Sequence, residues 1–171
     1  MSSERAEASR DRQHFVLAVM LAWLIVTSPW VAMLRRIPSG AGFFDYAHVA
    51  LGFVALPLSV TYALACVRAG GWRLYFPWAS GGLGAVGRDV AGLLRGRIPS
   101  AEGGGLFATI EGLLLIALAV TAVTGAAWYL EQGSSAALAW REWHICAARG
   151  LAGLVVLHVV AVASHLLDFV R

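Results

Sequence analysis

The chain has 171 residues, 59% of them hydrophobic and 13% charged, with a mean hydropathy of +0.71. A water-soluble domain of this length needs a far more polar surface, so the composition excludes that class and directs the reading to a membrane. The formal charge is +3, but every basic residue is Arg and the arginines flank apolar runs. They form no basic stripe with interleaved aromatics, which argues against nucleic acid as a partner and for the lipid bilayer.

Four apolar runs follow one another along the chain: Phe15–Leu34, Phe43–Val67, Leu106–Leu130 and Trp143–Val170. Each has the ~20 residues that cross a ~30 Å hydrocarbon core. They predict transmembrane helices at about 13–34, 43–67, 106–130 and 141–168, joined into one domain over 1–171. The first run follows a polar start rich in Arg, but it is too long for a signal-peptide core and no small-x-small cleavage site follows it. It reads as a retained first helix.

The turn around Ile37-Pro38-Ser39-Gly40 is short, so the first two helices are expected to be antiparallel neighbours. The segment 69–105 is long and Gly-rich. Within it, Val86, Val90, Leu93 and Leu94 recur at helical spacing around Arg88 and Arg95, the pattern of a short interfacial amphipathic helix. Gly82–Gly87 matches GxGxxG, but no strand precedes it, so a dinucleotide site is rejected.

Arginine placement sets the expected orientation. Arg5, Arg10, Arg12, Arg68, Arg73, Arg88, Arg95, Arg97 and Arg171 fall on one side, against Arg35, Arg36 and Arg141 on the other. The positive-inside rule then puts both termini and the 69–105 loop in the cytoplasm. Cys66 and Cys146 fall near opposite faces, too far apart for a disulfide, and no CxxC or CxxCH occurs.

Five histidines stand in or near these helices: His14, His48, His144, His158 and His165. Polar groups at membrane depth are costly and tend to mark function. His144 and His158 are 14 residues apart, about 40° short of four full turns, so they share one helix face. Their separation along the axis is ~21 Å, room for two haems stacked across the bilayer, one in each leaflet. Imidazole is a suitable axial ligand for haem iron, and filling both axial positions favours electron transfer over oxygen binding. By rise per residue, His48 lies ~7 Å below the outer surface and His14 ~30 Å below it; if His144 pairs with His48 at its depth, His158 lies at ~28 Å, level with His14. The expected ligand pairs are therefore His48–His144 and His14–His158. His165 comes out at ~39 Å, beyond the hydrocarbon core, and reads as an interfacial residue near the cytoplasm, with a place beside a propionate or a quinone head as the alternative.

With these residues assembled, the chain resembles the bacterial cytochrome b561 and nickel-hydrogenase b-type subunit superfamily over essentially its whole length. The features that carry the resemblance are Gln13-His14-Phe15, His48 with Gly52 four residues on, and the His144/His158 pair followed by Val159-Val160-Ala161 and His165. The resemblance implies an all-α, four-helix integral membrane bundle of the bacterial inner membrane holding two b-type haems through the same two pairs. It implies electron transfer between a quinone pool, ubiquinone or menaquinone, and a redox partner. The alternatives it leaves open are a haem-bearing anchor subunit of a larger dehydrogenase or hydrogenase-type complex, and a superoxide:quinone oxidoreductase. Gly71–Trp78 and the loop after it look more like members linked to larger complexes, which favours a protein partner.

The remaining candidates are polar residues beside these sites. Arg68 and Arg73 are candidates for the propionates of the inner haem, and Arg35, Arg36 and Arg141 for those of the outer one. Glu111, near the cytoplasmic end of the third helix, is either an ion-pair partner of Arg149 or a proton relay to a quinone. Asp45 is expected to cap the second helix.

Overall fold

A computed structural model of the chain describes residues 2–99 and 104–169, with side chains over 4–69, 71–99 and 104–164. The fold is all-helical, with no strand among the described residues. Four helices are long and apolar enough to cross a membrane. These are α1 (Ser2–Thr27), α2 (Phe43–Gly70), α6 (Leu106–Leu130) and α7 (Ala137–Phe169). Among the described residues, three short helices lie between the second and third of them: α3 (Trp72–Tyr75), α4 (Pro77–Ser80) and α5 (Leu83–Leu93). Many apolar side chains of the long helices point outward, among them Phe15, Val26, Val54, Val123 and Val156, each more than half exposed. In water such a surface would aggregate; in a bilayer it is the lipid-facing side.

Two helix ends depart from the apolar pattern. The helix α1 begins at Ser2, well before the apolar run, because Ser2–Gln13 carries Glu, Ala and Arg, which favour helix without needing burial. It ends at Thr27, where Ser28-Pro29-Trp30 forms a 3-10 turn. Pro29 has no N–H to continue the ladder, so residues 31–42 run on as a non-helical connection, although residues up to Leu34 are apolar. Inside α2, Pro57 removes one backbone donor. Hydroxyls in the long helices return to their own backbone: Thr27, Thr121, Thr124 and Ser164 each donate to the carbonyl four residues back. With no water at that depth, this satisfies a polar group that would otherwise be costly.

The chain divides into two compact units, Met1–Ala65 with Ala117–Gly150, and Cys66–Ile116 with Leu151–Arg171. In the first unit, the α1–α2 connection is tied to the α6–α7 connection by a ring of hydrogen bonds. The Trp128 indole donates to the Leu34 carbonyl at 2.8 Å, and Arg35 Nε donates to the Ser134 carbonyl at 2.9 Å. The Ile37 N–H reaches Gln132 Oε1 at 2.8 Å, the Gly133 N–H bonds to the Arg35 carbonyl, and Arg141 Nε donates to the Met33 carbonyl. Gly133 sits at φ +85°, a conformation that admits glycine readily, and the Arg36 guanidinium lies against it.

Asp45, in the first turn of α2, is buried. Its two oxygens accept from the Gly42 N–H at 2.8 Å and the Ala32 N–H at 2.7 Å. It therefore caps its own helix and also anchors the chain that leaves α1. Removing a charged acceptor strands two partly buried N–H groups, so Asp45→Ala should cost about 3 kcal/mol. The expected readout is a lower melting temperature in detergent, with Asp45→Asn recovering only part of the loss.

In the second unit, the short helices fold back onto the start of α6. Asp89 Oδ2 accepts from the Leu106 N–H at 2.8 Å and so caps α6 from a distant part of the chain. Gly112 lets the Tyr75 carbonyl lie directly against α6, where any Cβ would clash with it.

Candidate functional site

His48, on α2, and His144, on α7, face one another in the first unit. Their ring centres are 6.4 Å apart and their planes lie at 86°. A metal–imidazole nitrogen bond is ~2.0 Å and the ring centre lies ~1.1 Å behind that nitrogen, so two imidazoles on opposite sides of one metal have centres ~6.2 Å apart. The observed separation suits two rings that share one metal ion between them.

The hydrogen bonding of His144 leaves one nitrogen for that purpose. His144 Nδ1 lies 2.9 Å from the Thr121 carbonyl oxygen. A carbonyl can only accept, so Nδ1 carries the proton and Nε2 keeps its lone pair. This is the arrangement in which a backbone carbonyl orients a ligating histidine.

The approach depends on Gly125. A Cβ built there would stand 2.9 Å from both Cε1 and Nδ1 of His144. Thr121 and Gly125 are four residues apart on one face of α6. The glycine therefore opens the space through which the imidazole reaches the carbonyl one turn away. His48 buries its Nδ1 among packed side chains with no hydrogen-bond partner for that atom.

The donor set also limits what the pair could hold. Among the described residues, no group of three or more His, Cys, Asp or Glu could ligate a metal ion. A structural or catalytic zinc site needs at least three protein ligands. Two opposed imidazoles suffice only when the other ligands come with the metal, as the four pyrrole nitrogens of a haem do. The residues present fit that group.

The other two histidines are found in different units, each against an aromatic ring. His14, on α1, stacks on Tyr62 of α2 with ring centres 5.7 Å apart and planes at 18°. His158, on α7, lies against Phe107 of α6 at 5.5 Å and 42°. Glu111 is half-buried on α6 one turn after Phe107, so it shares the face that carries the ring against His158. Arg149 is exposed on α7. The side chain of His165 lies outside the described residues, as does Arg171.

The arginines named as propionate partners are placed as follows. Arg35 and Arg141 donate to backbone carbonyls of the connecting segments, and Arg141 also pairs with Glu142. Arg68 is exposed at the end of α2, and Arg73 is exposed with its guanidinium 5.8 Å from the Trp72 ring centre. Residues that sequence reasoning did not single out are Thr121, Gly125, Tyr62 and Phe107. A glycine in an otherwise bulky apolar helix is the sequence signal for the second of these; the other three have none.

With this geometry in place, the family model described as prokaryotic cytochrome b561 matches residues 12–167. Neither a curated protein nor a solved structure matches the chain.

Proposed function

The chain belongs to the prokaryotic cytochrome b561 family, and is thus a multi-pass membrane b-type cytochrome of electron transfer; from that premise we propose that it carries electrons across the membrane through two haems. His48 and His144 hold one, and His14 and His158 the other. A b-type haem supplies a one-electron iron couple when bound. The protein's part would be to supply two imidazoles to each haem, which would leave no open site for oxygen and favour electron transfer. The observation that carries this reading is the His48–His144 apposition at 6.4 Å together with the Nδ1 bond to Thr121.

The electron donor or acceptor at one side is a quinone, ubiquinone or menaquinone, and at the other a redox protein. Glu111 is the residue that would take or give the quinone proton, since it is half-buried at membrane depth and one turn from the ring that touches His158. Arg68 and Arg73 would pair with propionates on that side, and Arg36 on the other. The termini and the segment 69–105 face the cytoplasm of the inner membrane in this reading, following the arginine excess.

Anaerobic mixing of the purified protein with a short-chain quinol tests the proposal. Reduction of both haems within the mixing trace supports it; a protein whose haem stays oxidised with every quinol tried, yet is reduced by dithionite, refutes the quinone link. Glu111→Gln should lower quinol turnover by about a hundredfold while both haems are retained. Unchanged turnover would remove the relay role from Glu111.

A further inference from the structure

Helix α5 and the turn after it border an open surface cavity of about 690 Å³ whose walls include Gly84, Gly87, Arg88, Gly92, Arg95 and Arg97. From these walls and the two faces of α5, we infer that the cavity binds the phosphate headgroup of an anionic phospholipid.

The two faces of α5 differ in a way that gives the cavity its ligand. Gly84, Gly87, Arg88, Ala91 and Gly92 recur at three- and four-residue spacing, so they form a single face of α5, and Arg95 follows in the turn after it. The opposite face carries Leu83, Val86, Val90, Leu93 and Leu94, and four of these five are strongly exposed (Leu83 57%, Val90 43%, Leu93 48%, Leu94 86%). Protein does not cover that apolar face. In a membrane protein, an amphipathic helix with such a face lies in the headgroup region with its apolar side among the acyl chains. The arginine face then meets phosphates.

The lining carries three arginines against the single carboxylate of Asp89, so the cavity is net positive. Among the described residues, no carboxylate pairs with Arg88, Arg95 or Arg97. Asp89 also borders the cavity, but its Oδ2 is engaged by the Leu106 N–H. Glycines at three wall positions leave backbone where side chains would otherwise stand. A Cβ at Gly87 would meet nothing within 4 Å, so the space beside it is open to a ligand. Arginine suits phosphate because its planar fork gives two parallel N–H donors to two oxygens.

The test uses the full haem-loaded protein in nanodiscs of phosphatidylcholine with a minor fraction of phosphatidylglycerol. The lipid retained after detergent extraction is counted by native mass spectrometry. The wild-type chain should retain phosphatidylglycerol in preference to phosphatidylcholine. Each arginine near a membrane surface changes affinity about fivefold, so R88Q/R95Q/R97Q should lose on the order of a hundredfold. A control with the same charge change elsewhere, R5Q/R10Q/R12Q, should keep the preference. Gly87→Leu places a bulky side chain in the cavity without changing charge and should lower retention about fivefold or more, on the order of the loss of one arginine contact. An unaltered visible spectrum in each variant certifies its fold. Equal retention by the wild type and R88Q/R95Q/R97Q overturns the site, and so does an equal loss in the control. Displacement of the lipid by inorganic phosphate at matched concentration would assign the cavity to a soluble phosphate and overturn the lipid assignment.

Discussion

Replacing His144 by alanine is expected to leave the protein with one haem per chain instead of two, and His48→Ala should do the same. The two rings stand 6.4 Å apart at their centres, so they act as a pair and the loss of either opens an axial position. The double variant should lose no more haem than each single one, because residues that act as a unit are not additive. Haem content by the pyridine haemochrome reaction, against protein by amino-acid analysis, gives the ratio. Full retention in both single variants would show that these histidines only pack.

Gly125→Leu is expected to remove the same haem without touching any ligand. Even a Cβ alone would stand 2.9 Å from two ring atoms of His144, and a leucine side chain would occupy the space the imidazole needs to reach the Thr121 carbonyl. Gly125→Ala is the milder test. The ring must move away by at least about half an ångström to reach ordinary contact, which weakens the bond that fixes its tautomer. Loss of such an orienting contact typically costs about 10–100-fold in metal affinity. The remaining haem, assigned to His14 and His158, should keep its potential in both variants. A redox titration that shows both components unmoved in Gly125→Leu would exclude this account of the glycine.

The readable and unreadable parts of the molecule divide along physical lines. Membrane insertion imposes long uninterrupted apolar runs, so the four long helices and the all-helical class were legible from composition and length. Rise per residue is fixed by helix geometry, so pairing His48 with His144 could be proposed from the sequence, and their rings do lie 6.4 Å apart. The ends of the helices were not. Ser2–Gln13 is helical without being apolar, and the segment after Pro29 is apolar without being helical. Hydropathy measures neither backbone propensity nor the missing N–H of proline.

Contacts between helices were the least legible. The Thr121 carbonyl is a backbone atom, so no side chain announces it, and Gly125 is one of 19 glycines in the chain. Charge counting offered Arg35 and Arg141 as propionate partners or interfacial anchors, and could not announce that the Nε of each also donates to a backbone carbonyl of the connecting segments. Exposed arginines look alike in sequence whether they anchor a helix, brace a loop or hold an anion.

The central claim is that this chain holds two b-type haems, each between two imidazoles. The ratio of haem to polypeptide in the purified wild-type protein, taken together with its low-temperature electron paramagnetic resonance spectrum, tests it most directly. The account predicts two haems per chain, both low-spin with two axial nitrogen ligands. A single haem per chain, or a high-spin signal from an open axial position, would contradict it.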